Sequence, residues 1–196
     1  MPIGSSRSER TDQAPAGRPA VFLDRDGTII EDRGDLADPS QVEFFEDTVP
    51  ALRRLEGCFD LFIVTNQSGV AKGTISAEDV ERVNAHVLAR LAEAGIGIAA
   101  AYVCPHERRD GCGCMKPSPH FLLRAETEHG IDLRRSFVVG DHPHDVEFAR
   151  AAGATGIYLL SGHGLRHLEG IPEGTPVAAG IREAVELILD TTDAGC

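Results

Sequence analysis

The chain has 196 residues, 42% hydrophobic and 26% charged, which suits a globular protein with one well-filled core. Acidic residues outnumber basic ones 31 to 19, and a net charge of −12 disfavours a nucleic-acid surface, because phosphate backbones are bound by basic stripes. No apolar run is long enough to cross a bilayer and the opening MPIGSSRSER lacks a signal-peptide core, so the expectation is a cytoplasmic protein without a membrane partner.

Residues 1–18, rich in Ser, Arg, Pro and Gly, read as a disordered tail before a single domain over 19–196. AVFLD, from Ala20, is a short apolar run stopped by a carboxylate, the pattern of a buried parallel strand. Val49, Leu52 and Leu55 are spaced for one face of a helix over 48–55. LFIVT at 61–65 is a second buried strand, running into the polar turn NQSG. SAED at Ser76 resembles a capping box, with Asp79 in place of the usual Glu. The helix it starts carries Val80, Val83, Val87, Leu88 and Leu91 on one stripe, and Gly95 is its natural stop. AAAYVC is a third strand leading directly into a cysteine cluster.

A helix around Phe121, Leu122 and Ala125 follows, then the strand SFVVGD ending in Asp141. Pro143 suits the first position of the next helix, which runs to Gly153. TGIYLL is a fifth strand, and 180–190 a closing helix. Strands alternating with helices predict an α/β fold: a Rossmann-like, doubly wound, mainly parallel sheet with helices on both faces. Ligands of such sheets sit beyond the carboxyl ends of the strands, which points to Asp24, Thr65, Cys104 and Asp141.

DRDGT places Asp24 and Asp26 two positions apart in a turning loop, so both carboxylates can face one small site. Thr65 adds a hydroxyl, Lys116 a cation before a proline, and Asp141 a third carboxylate, with Asp145 as a supporting group. Each has a bland alternative: a capped turn, a solvated charge, a helix N-cap. Their ordered arrival at successive strand ends favours a shared site.

Between the third strand and Lys116, the segment CPHERRDGCGC supplies Cys104, His106, Cys112 and Cys114. Thiolates and imidazole at this density match a tetrahedral Zn²⁺ site, and four protein ligands leave no open position. The expectation is a structural zinc loop over 104–114, with a redox or merely coincidental cluster as the alternative. Cys58 is expected in the core and His129, His163 and His167 on the surface.

DRDGT, TNQSG, Lys116-Pro117 and VGD resemble, in order, the four motifs of the haloacid dehalogenase superfamily of phosphatases. With the C-P-H…C-x-C loop they are similar to its zinc-loop subgroup, the D-glycero-D-manno-heptose 1,7-bisphosphate 7-phosphatases and histidinol-phosphatases. That resemblance implies a phosphoric monoester hydrolase without a large cap domain, acting on a small phosphorylated substrate; the chain itself is expected to be a monomer. It implies Asp24 as nucleophile, Asp26 as general acid and base, and Thr65 and Lys116 as phosphoryl ligands. It further implies Mg²⁺ on Asp24, the Asp26 carbonyl and Asp141.

Substrate contacts are expected from Asp32, Arg33, Gly34, Asp35, Thr65, Asn66, Gln67, Ser68, Met115, Lys116 and His142. Three of these depart from the subgroup: Met115 stands where it carries arginine, His142 where it carries lysine, and Asp35 where it carries tyrosine. The implied substrate is the heptose bisphosphate, with histidinol phosphate or another small sugar phosphate as the alternative. A non-catalytic binding module is opposed by the presence of both Asp24 and Asp26, and a nucleic-acid end-processing phosphatase by the acidic surface.

Overall fold

The computed structural model describes residues 17–192. The tail expected over 1–18 therefore lies outside them except for its last two residues. Arg18 already belongs to the domain: it bridges Ile131 in parallel, and its guanidinium lies 3.3 Å from Asp60. Composition marks the tail by residue type and cannot register a backbone bridge to a residue far along the chain.

In chain order the elements are β1 (Ala20–Leu23), α1 (Thr48–Arg53), β2 (Asp60–Asn66), α2 (Gly69–Lys72), α3 (Ala77–Glu93) and β3 (Ile98–Cys104). There follow α4 (His120–His129), β4 (Phe137–Gly140), α5 (Pro143–Ala151), β5 (Thr155–Leu159), α6 (Gly164–His167), β6 (Val177–Ala178) and α7 (Ile181–Thr191). The strands form one six-stranded sheet, ordered β3-β2-β1-β4-β5-β6 and parallel at every pairing. Among the described residues no helix is long and apolar enough to cross a membrane.

Alternation along the strands divides the core into two layers. Val21, Leu23, Leu61, Ile63 and Val139 face the apolar stripes of α1, α3 and α7, whereas Phe22, Phe62, Val64 and Val138 face α4 and α5. Phe22 and Phe62 stack with centroids 4.9 Å apart. Cys58 packs, partly buried, against the first layer.

The capping box of α3 forms as expected: Asp79 N–H donates to Ser76 Oγ at 3.1 Å, and Ser76 N–H to the Asp79 carboxylate at 2.7 Å. At α5 Pro143 occupies the first turn, and the cap is His142, whose Nδ1 accepts from His144 N–H at 3.2 Å. Asp145 completes the box by accepting from His142 N–H at 3.1 Å. Asp141 is thereby released from capping, which the bland reading had given it. The four-residue α2 and α6 and the two-residue β6 were not anticipated, being too short to show a period. The interval from Asp26 to Asn66 holds α1 and β2, and that from Thr65 to Lys116 holds α2, α3, β3 and the cysteine loop. Neither contains a cap domain.

Candidate active site

Asp24 and Asp26 follow β1, Thr65 and Asn66 end β2, and Asp141 follows β4, so the central strands bring these groups to one edge. With Lys116 they line a cleft of about 340 Å³ that also takes in Asp32, Ser68, His142 and Asp145.

Lys116 is its electrostatic centre. Its Nζ donates to Asp24 Oδ1 at 2.5 Å, to Asp145 Oδ1 at 2.6 Å and to the Val64 carbonyl at 3.0 Å. Burial favours the neutral amine, but Asp145 and Asp24 outweigh it and hold the ammonium above the ordinary lysine range. Burial raises Asp24 to about 6, with Asp145 adding to the rise and Lys116 opposing it. Burial likewise raises Asp141 to about 7, reinforced by Asp24 and opposed by the N–H of His163.

Asp24, Asp141 and Asp145 each offer a carboxylate oxygen, and the three lie within 4.8 Å of one another. Asp145 is committed to Lys116 and the His142 N–H, so Asp24 and Asp141 are the pair with capacity for a cation. Hard oxygen donors of this kind fit Mg²⁺. The loops close tightly on Asp141: a Cβ on Gly27 (φ 77°) or Gly162 (φ 52°) would fall 2.2 Å from its Oδ2. Glycine in DRDGT thus serves both a left-handed backbone and an approach that no side chain permits.

Asp26 is held from behind. Arg25, fully buried, donates to its carboxylate from Nε at 3.1 Å and Nη2 at 2.9 Å, while Gln67 Nε2 adds a bond at 2.8 Å. Asn84 on α3 fixes the other end of the guanidinium by accepting from Nη1 at 2.7 Å. Burial raises the Asp26 carboxyl, and Arg25 works against the rise. In the sequence Arg25 stands between the two aspartates of DRDGT. Its partner lies 59 residues on, beyond any local signal.

The remaining expected contacts divide. Gln67 is buried and also donates to Thr65 Oγ1 at 2.8 Å, so it organises Asp26 and Thr65. Arg33 pairs with Glu43, Asp35 accepts from Thr74 Oγ1 at 2.6 Å, and Gly34 forms an exposed turn between them. Met115 packs against the second core layer. None of Arg33, Gly34, Asp35 or Met115 lines the cleft. Conversely His163, expected on the surface, lines it, because the loop after β5 folds back over Asp141. Its N–H donates to Asp141 Oδ2 at 2.6 Å, and its ring lies 3.0 Å from Asp32.

Beside the cleft the four ligand-type side chains of the cysteine loop meet. Cys104 Sγ lies 3.2 Å from Cys114 Sγ and 3.7 Å from Cys112 Sγ, and His106 Nδ1 is 3.3 Å from Cys114 Sγ. Zn–S bonds of about 2.3 Å in a tetrahedron put sulfurs about 3.8 Å apart, so the cluster is near the size of a four-ligand metal shell.

Residues 113–184 match the HAD-hydrolase-like family model. The D-glycero-beta-D-manno-heptose-1,7-bisphosphate 7-phosphatase of Yersinia pestis is 38% identical over 181 residues, covering 88% of this chain and 90% of its own. The enzyme of that name from Escherichia coli K12 is also 38% identical, over 88% and 89% of the two chains. A crystal structure of the D,D-heptose 1,7-bisphosphate phosphatase of B. bronchiseptica with magnesium and phosphate superposes with a TM-score of 0.81 at 29% identity, covering 88% of this chain and 99% of the other. A closely similar fold, carboxylates gathered at the carboxyl ends of the central strands and this level of identity over nearly the full length lead to one assignment: the chain belongs to the haloacid dehalogenase-like phosphatases, in the family of the heptose-bisphosphate phosphatases.

Proposed function

We propose that this protein is a Mg²⁺-dependent phosphomonoesterase that removes the 7-phosphate of D-glycero-D-manno-heptose 1,7-bisphosphate. The observation that carries it is the convergence of Asp24, Lys116 and Asp141 at the carboxyl end of β1 and β4, in a chain 38% identical to phosphatases of that name. Asp24, Asp141 and the backbone carbonyl of Asp26 would hold Mg²⁺, which supplies the positive charge that lets an anionic nucleophile approach an anionic ester.

Asp24 attacks phosphorus in line, the bond to the sugar oxygen breaks, and Asp26 delivers a proton to that oxygen. Asp26, now ionised and steadied by Arg25 and Gln67, takes a proton from water as its oxygen attacks phosphorus. The bond to Asp24 breaks and the carboxylate is restored. Lys116 and Thr65 hold the transferring oxygens, which is the positioning that phosphoryl transfer chiefly requires. Cys104, His106, Cys112 and Cys114 hold one structural Zn²⁺, which orders a loop with few apolar residues beside the cleft.

The experiment is a phosphate-release panel of the heptose bisphosphate, L-histidinol phosphate and sugar monophosphates, each with Mg²⁺ and with EDTA. The reading expects the heptose to have the highest kcat/KM, EDTA to abolish turnover, and Asp24→Asn to be inactive. Undiminished release by Asp24→Asn, or a far higher kcat/KM for histidinol phosphate, would overturn it.

A further inference from the structure

The cleft is lined by five carboxylates, Asp24, Asp26, Asp32, Asp141 and Asp145, against the single ammonium of Lys116. That ammonium is already shared between Asp24 and Asp145. Met115, next to it, packs against the core and contributes nothing to the lining. One phosphate can be balanced there by Lys116 and a divalent cation. A second anionic group farther out would face Asp32 with no lining cation to receive it.

The mouth of the cleft carries different chemistry. The rings of His142 and His144 lie 4.4 Å apart and those of His142 and His167 4.8 Å apart, while His163 engages Asp32. His142, His144 and His163 line the cleft. Arg108 reaches across from the cysteine loop and puts Nη2 3.0 Å from His144 Nε2. Among the described residues no carboxylate pairs with Arg108, in contrast to its neighbour Arg109, which pairs with Glu107.

A guanidinium resting on an imidazole has most of its donors unused. A phosphate accepts bidentate bonds from such a group far more strongly than a ring nitrogen does. Arg108 sits two residues from His106, so the four-ligand cluster anchors the loop that presents it.

We propose that Arg108, with His144 and His142 beside it, forms a subsite at the cleft mouth for a second phosphate on the substrate, remote from the one that is cleaved. The inference rests on the phosphatase reading above and deepens it: the substrate class is a sugar bisphosphate, and a substrate with a cationic remote end is disfavoured.

The test compares kcat/KM for a bisphosphate and for the matching monophosphate lacking the remote phosphate, in Mg²⁺ and zinc-replete full-length protein and in Arg108→Gln and Arg108→Lys. Wild type is expected to prefer the bisphosphate by about tenfold or more, the scale of a charge-assisted hydrogen bond. Arg108→Gln is expected to lose most of that preference and Arg108→Lys to keep part of it. A wild-type preference in Arg108→Gln overturns the subsite. So does an equal fall on both substrates, which would signify damage to the metal loop and would show in the zinc content. Two substrate pairs separate the levels: heptose 1,7-bisphosphate with heptose 7-phosphate, and fructose 1,6-bisphosphate with fructose 6-phosphate. An Arg108-dependent preference confined to the fructose pair would retain the subsite and remove the heptose reading, and release from neither pair would remove both.

Discussion

Asp145→Asn removes one charge and almost no volume from the centre of the site. Lys116 is 5% exposed and Asp145 2%, with 2.6 Å between Nζ and Oδ1. At an effective dielectric of about 20, unit charges at that separation attract by roughly 6 kcal/mol, and the dehydration of both groups offsets a large part of it. Removing one partner of a buried pair typically costs about 3–5 kcal/mol, because the other charge stays behind uncompensated. Here Lys116 keeps Asp24 at 2.5 Å and the Val64 carbonyl at 3.0 Å. Asp24 and Asp141 also lose a neighbouring negative charge that raises both of them. The lower end, about 3 kcal/mol, is therefore expected, equivalent to a Tm lowered by about 6–12 °C in a chain of this size. The kcat should fall by roughly tenfold to a hundredfold as Lys116 is drawn toward Asp24 and away from the phosphoryl position. Calorimetry with saturating Mg²⁺, paired with phosphate-release kinetics, reads both. A Tm within about 2 °C of wild type would refute the argument that Asp145 holds Lys116 as a buried ion pair.

Three other outcomes follow from the same geometry. Cys112→Ala deletes one of the four proposed zinc ligands and should abolish zinc binding with a large drop in Tm; a variant that still carries one zinc per chain at unchanged stability contradicts the closed cluster. Burial lifts Asp24 to about 6 and Asp141 to about 7, from 3.8 in the unfolded chain, so between those values the folded state binds more protons than the unfolded one. Metal-free protein should then lose stability as pH rises from about 4 to about 7, and the Tm gain on adding Mg²⁺ should be larger at about pH 7.5 than at about pH 5. Equal gains at the two pH values would count against Asp24 and Asp141 as the cation pair. Asn84→Ala strips a 2.7 Å partner from the buried Arg25 guanidinium, at a cost of about 1.5–3 kcal/mol, and should lower kcat more than it changes KM by loosening Asp26. Wild-type kcat in that variant would show that Asp26 does not depend on its clamp.

The sequence by itself determined five of the six strands, the strand-end residues and the cysteine–histidine cluster. Buried parallel strands read as unbroken apolar runs, so the polar residue that ends each one, Asp24, Thr65 or Asp141, marks the rim of the site without any knowledge of strand order. Cys104, His106, Cys112 and Cys114 were legible because four ligands within eleven positions need only a local loop to meet. Tertiary structure alone decided which way side chains turn and which distant elements they meet. Arg25 becomes a clamp because α3 carries Asn84 past it, and Asp35 is drawn to Thr74. Met115 turns into the core while Arg108, seven positions earlier, crosses to His144 at the mouth. Local patterns record backbone period and ligand density. The direction of a loop side chain depends on contacts between residues far apart in the chain, and those exist only once the layers have packed.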